Sequence, residues 1–138
     1  MIFFRLSSLI AFLALSSACG RIERTRECRR FARLVNQRLD SIEAQVKPRS
    51  ADAYRAASRG YAALAAELRV SAKAVRAEVS AEEFAQVFDS AANATQSYAD
   101  AMDAKDKHRT EESRRELERL SRHQQGIVQR VTLHCEGP

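Results

Sequence analysis

The stretch SAEEFAQVFDSAANATQSYADAM, residues 80–102, decides the fold class. Ser80 with Glu83 three residues on is a capping box, and Val79 before it with Phe84 after it form a hydrophobic staple, so a helix starts here. Phe84, Val87, Phe88, Ala91, Thr95, Tyr98 and Met102 then step by three and four, which puts them on one helical face.

The same spacing recurs on both sides. Cys28, Phe31, Val35, Leu39, Ile42 and Val46 form a stripe that Pro48 ends, because the residue before a proline is disfavoured in the helical region. Ser50 is placed to cap a second helix with Asp52 in its first turn, and Tyr54, Ala57, Tyr61, Leu64, Leu68, Ser71 and Val75 form its stripe. Residues 105–109 are polar without a breaker, and Thr110 followed by Glu111 and Glu112 marks the start of a fourth segment. Its stripe is Leu117, Leu120, Gln124, Ile127, Val131 and His134. One continuous helix through this connection is the alternative. Gly20, Gly60, Gly126, Gly137, Pro48 and Pro138 are the only glycines and prolines, too few for strands joined by tight turns. The expectation is an all-α, antiparallel up-down-up-down four-helix bundle. Alanine-rich second and third helices would let two backbones approach closely.

At the N-terminus, Arg5, an apolar run from Leu6 to Leu15 and Ser16-Ser17-Ala18 supply the charged start, short apolar core and small residues of an export signal. A spanning helix needs about 20 apolar residues, whereas serines interrupt this run and Gly20-Arg21 stops it. Ser16-Ser17-Ala18-Cys19 resembles the lipobox of bacterial lipoproteins, in which a peptidase cuts before a cysteine that receives lipid, palmitate among its acyl chains. Ser16 stands where that family usually has Leu. Ser16 and Ala18 equally fit the small-x-small pattern of the ordinary signal peptidase, which would release a soluble periplasmic protein with Cys19 as a bare thiol. By the same resemblance, Gly20 in place of the Asp that often retains such proteins at the inner membrane favours the outer membrane.

The expected organisation is therefore a signal peptide at 1–18, the anchor and basic start of the first helix at 19–27, and a single helical bundle domain at 28–138. Loss of Arg5 with the leader leaves 22 basic against 18 acidic residues, a net +4. Most of that excess sits in Arg21, Arg24, Arg26, Arg29, Arg30 and Arg33, opposed only by Glu23 and Glu27. Export argues against nucleic acid as the partner of this cluster. Next to an anchor it would face the anionic surface of a bilayer, where each basic residue contributes about 1 kcal/mol.

Three cysteines in an oxidising compartment leave one over. Lipid on Cys19 leaves Cys28 and Cys135 to pair, closing a loop of about 100 residues for about 4 to 5 kcal/mol in the chain-entropy model. A height count from the Thr110 start separates them by about 10 Å, beyond the roughly 7 Å between Cα atoms that a disulfide tolerates. Pairing then requires a later third turn or a first helix displaced along the bundle.

No pattern points to catalysis or to a cofactor. Covalent haem would need Cys-x-x-Cys-His, and a nucleophile elbow would need Gly-x-Ser-x-Gly; neither is present. A di-iron bundle would need Glu three residues before His, but Lys105, Leu120 and Val131 precede His108, His123 and His134. No metal site is expected. The one candidate ligand pocket is a polar level inside the bundle, where Tyr61, Thr95, Tyr98, His123 and Gln124 fall at similar distances from one pole. The chain thus reads as a non-catalytic envelope lipoprotein, facing the periplasm, held to the membrane by lipid and docking an envelope protein; a periplasmic ligand-binding or sensor bundle is the alternative.

Overall fold

The computed structural model describes residues 26–72 and 81–136, without the side chains of 72 and 131–136. The expected leader, Cys19, Arg21, Arg24, Val75, the Val79–Ser80 cap and the side chains of Val131, His134 and Cys135 lie outside the described residues. Among those described there are four helices and no strand: α1 over 26–46, α2 Ala51–Ala72, α3 Ala81–Asp103 and α4 Lys107–Glu136. The all-α bundle expected from the stripes is the architecture found.

Helix α3 packs against both α2 and α4. Its apolar face is the most deeply covered part of the molecule, with Phe84 and Phe88 fully buried beside Leu64 and Leu68 of α2 and Ile127 of α4. Val35 joins this cluster from α1, with Phe31, Leu34 and Leu39 packed around it. Sequence-distant partners run in opposite order along neighbouring helices. Arg38 pairs with Glu67 while Ile42 lies at Gly60, Tyr54 meets Tyr98 while Arg69 meets Glu82, and Glu83 meets Arg130.

Small residues bring α2 and α3 together. Ala57 and Ala65 of α2, and Ala85, Ala99 and Ala101 of α3, are fully buried. Between them the Ser58 hydroxyl donates across the seam to the Ala92 carbonyl at 2.8 Å, a reach possible only where two helix backbones run close. Gly60 plays the same part against α1, since a Cβ there would come within 2.8 Å of Ile42 Cγ1.

The two described connections share one geometry. Pro48 ends α1 as expected, and Arg49 then takes a left-handed conformation, φ 50°, its N–H donating to the Val46 carbonyl at 2.9 Å. Ser50 follows at once as N-cap, its hydroxyl accepting from Ala53 N at 3.2 Å. At the end of α3, Lys105 is left-handed at φ 52°. Lys105 N donates to Met102 O and Asp106 N to Ala101 O, the paired bonds of a Schellman cap. Asp106 then caps α4 through Arg109 N at 3.1 Å.

The fourth helix thus starts at Lys107, not at Thr110. Thr110 sits inside its first turn, where its hydroxyl donates to the Asp106 carbonyl at 2.7 Å. The connection is a true break, and the continuous-helix alternative falls.

Two stability tests follow from this geometry. Gly60→Ala should lower stability by up to about 2 kcal/mol, overpacking against Ile42 outweighing the gain in helix propensity, whereas Gly126→Ala, with nothing within 4 Å of its new methyl, should raise it by about 1 kcal/mol. Urea unfolding of both variants checks the contrast. Arg49→Gly and Lys105→Gly should each raise stability by about 0.5 to 1 kcal/mol by removing a side chain from a left-handed position, read as an upward shift of the denaturation midpoint.

Candidate functional site

The polar level expected inside the bundle does not assemble at one height. Tyr61 is half-buried in α2, its ring stacked on Phe88 with centroids 6.1 Å apart. Burial pushes its hydroxyl pKa up, and the Glu43 carboxylate of α1 adds to the shift. Thr95 is buried in α3, and no buried side-chain polar atom among the described residues lacks a hydrogen bond. Tyr98 stands edge-on to Tyr54 at 4.7 Å, near the end of α3 that leads into the third connection. Burial, and then the neighbouring Tyr98, raise the Tyr54 pKa.

His123 is at the other end of α3, exposed on α4 with Nε2 3.9 Å from Glu83 Oε1. Gln124 is half-buried beside it. Glu83 and Tyr98 are fifteen residues apart on one helix, about 22 Å, so His123 and Tyr98 face no common space. The third connection contributes: closing it at 104–106 lifts Thr95 and Tyr98 toward that pole and carries His123 and Gln124 away from it, about 9 Å of relative shift. Tyr54 and Glu83, which the stripes did not single out as site residues, are the groups that Tyr98 and His123 actually meet.

A groove of about 1170 Å³ lies instead between α3 and the first half of α4. None of the five expected pocket residues lines it. Its floor is small, with Ala94 and Ser97 from α3, and its walls include Glu111, Arg115, Glu116 and Arg119 of α4. Ion pairs along α4 occupy Glu111 and Glu116. Arg114 donates to Glu111 at 2.7 and 3.0 Å and Arg119 donates to Glu116 at 2.7 Å. The hydrogen bonds from Arg114, assisted by Arg115, hold the Glu111 pKa down at about 2. The alternating charges of this segment form a solvated face braced along the helix.

Apart from those braced along α4, the described arginines divide into two groups. One group clasps helices together: Arg55 of α2 bonds Asp100 and Asp103 of α3, Arg69 bonds Glu82 and Asp89, and Arg130 of α4 reaches Glu83 at 2.6 Å. Arg38 of α1 is held in the same way by Glu67. The other group includes four residues from the basic cluster, Arg26, Arg29, Arg30 and Arg33, all exposed on α1. Their spacing of three and four places them on one face, opposite the Phe31 and Val35 side that enters the core. They make no ion pair with any described residue, and like charges at this spacing destabilise a helix.

Cys28 is disulfide-bonded; its partner is outside the described side chains. Among the described residues no three of His, Cys, Asp and Glu gather as a metal ion would require, and no helix is long and apolar enough to cross a membrane. Compared with protein-family models, with curated proteins and with solved structures, the chain matches none.

Proposed function

We propose that the chain is an exported, lipid-anchored helical module of a bacterial envelope, facing the periplasm and docking an envelope protein without catalysing a reaction. The observation that carries this reading is the apolar run from Leu6 to Leu15 closed by Ser16-Ser17-Ala18-Cys19, seven residues before the described part of α1. In a lipoprotein the Cys19 sulfur carries the lipid, leaving Cys28 and Cys135 as the remaining thiols. Attachment to the outer membrane follows from the same resemblance through Gly20.

Two features of the bundle support the Cys28–Cys135 pair. Ile42 is four residues from the end of α1 yet lies at a glycine nine residues into α2, so α1 is slid away from the first connection toward the end where α4 finishes. Phe31 of α1 packs on Phe84 at 5.5 Å while Arg130 of α4 bonds Glu83, so the cysteine-bearing ends of both helices approach the same turn of α3. The displaced first helix is one of the two conditions that pairing required.

The deciding experiment is the intact mass of the protein from the membrane fraction, measured before and after reduction and alkylation. The expected mass is residues 19–138 plus a diacylglycerol and further acylation, with no free thiol before reduction and two alkylated after it. Cys19→Ser should move the protein out of the membrane fraction. An uncut chain, or one cut before an unmodified Cys19, would overturn the lipid anchor, and a free thiol on Cys135 would overturn the disulfide.

A further inference from the structure

We propose that the outward face of α1 formed by Arg26, Arg29, Arg30 and Arg33 is a seat for anionic lipid head groups, which lays this helix against the bilayer and fixes which way the bundle points. The inference deepens the envelope reading and rests on it for the choice of a lipid surface as the occupant.

Three observations carry it. The four guanidinium groups lie along about 10 Å of helix and are exposed, without an ion pair to any described residue. Of the eleven other described arginines seven meet a carboxylate, among them Arg38 on this same helix, which Glu67 binds. The charge is also confined to one end. Further along the same face come Gln37, Asp40, Ser41 and Ala44, all exposed, so the basic stretch stops after two turns, at the end of α1 nearest Cys19. Finally, the stripe is opposite the core-facing side of α1, so a surface can meet all four groups with no change in the fold.

The complementary surface is a plane of phosphates. Arginine forks donate paired hydrogen bonds to phosphate oxygens. The seven residue steps from Cys19 to Arg26 span at most about 25 Å extended, which keeps the stripe within reach of head groups once Cys19 is anchored. An acidic protein or a nucleic acid would also attract four arginines, but neither is brought into contact by the anchor itself.

The test uses residues 19–138, which contain the whole described core, with Cys19→Ser to remove both lipid and stray thiol. Binding is measured by co-sedimentation with vesicles of phosphatidylglycerol in phosphatidylcholine and with phosphatidylcholine alone. The expected result is binding to the anionic vesicles only, weakening with added salt as screening shortens the range of the interaction. Replacing Arg26, Arg29, Arg30 and Arg33 by Gln should reduce that binding by about fivefold per arginine, a hundredfold or more in all.

A matched variant replaces Arg49, Arg59, Arg109 and Arg122, which are also exposed and unpaired among the described residues, and therefore has the same net charge. It should stay within severalfold of the parent. Circular dichroism of both variants checks that the helices are retained. Equal losses in the two variants, no binding to anionic vesicles, or equal binding to soluble polyglutamate at the same ionic strength would each overturn the proposal. The outcome is independent of the anchor: vesicle binding with an unlipidated Cys19 in cells would leave the stripe standing and remove the lipoprotein, whereas a lipidated Cys19 without vesicle binding would do the reverse.

Discussion

Close approach of α2 and α3 is the constraint on which the rest of the molecule depends. A bulky side chain at Ala57, Ala65, Ala85 or Ala99 would hold the two backbones apart, and the Ser58 hydroxyl could then no longer reach the Ala92 carbonyl. With the backbones close, the large residues are displaced to the edges of the seam. Phe84 and Phe88 stack there between α1 and α4, with centroids 5.8 Å apart, and give both outer helices something to cover. The arginine clasps act after this packing has set the register. Each is an exposed pair of the kind worth little in isolation, but Arg55 and Arg69 bind α3 near its two ends, so a slip of one turn would break both together.

How far the sequence is legible follows from which physics is local. Stripe spacing needs no knowledge of neighbours, and Val35 and Ile42 of α1, Ala57, Leu64 and Leu68 of α2, and Phe84, Val87, Phe88 and Ala91 of α3 do enter the core, with Thr95 buried among them. The Pro48-to-Ser50 connection could be read because both residues act on their own backbone. The third connection was misplaced because its stop is a lysine in a left-handed conformation, where glycine is the usual sign. Its N-cap, Asp106, is followed at the third helical position by Arg109 and not by the Glu of a capping box. Thr110-Glu111-Glu112 imitated a start, yet the Thr110 hydroxyl is satisfied within the helix.

That small error propagated into the site. Heights along a bundle are counted from its connections, so an early turn moves every residue of one helix toward the pole and every residue of the next away from it. This shift carries Tyr98 and His123 further apart. The common face of Arg26, Arg29, Arg30 and Arg33 does not depend on that count, because its i, i+3, i+4, i+7 spacing is internal to α1. Whether such charges find partners is a different matter, since Arg38 meets Glu67 only through the α1–α2 register, which no local pattern encodes.

The proposed seating of α1 concerns orientation more than affinity. Bacterial lipoproteins, whose export signal the N-terminus resembles, carry more than one acyl chain, enough for stable anchoring, so on the proposed reading four arginines would add little to whether the protein stays at the membrane. What acyl chains cannot do is choose a face, because a lipid at a single residue fixes one point and leaves the orientation of the bundle about that point open. Positive charges without an ion pair to any described residue, at the end of α1 that follows the proposed anchor and on the side opposite the core, would supply that choice. The seat also gives a use to a costly feature: like charges crowded on one helix face, without an ion pair to any described residue, in a molecule that supplies carboxylates to Arg38, Arg55, Arg69 and Arg130.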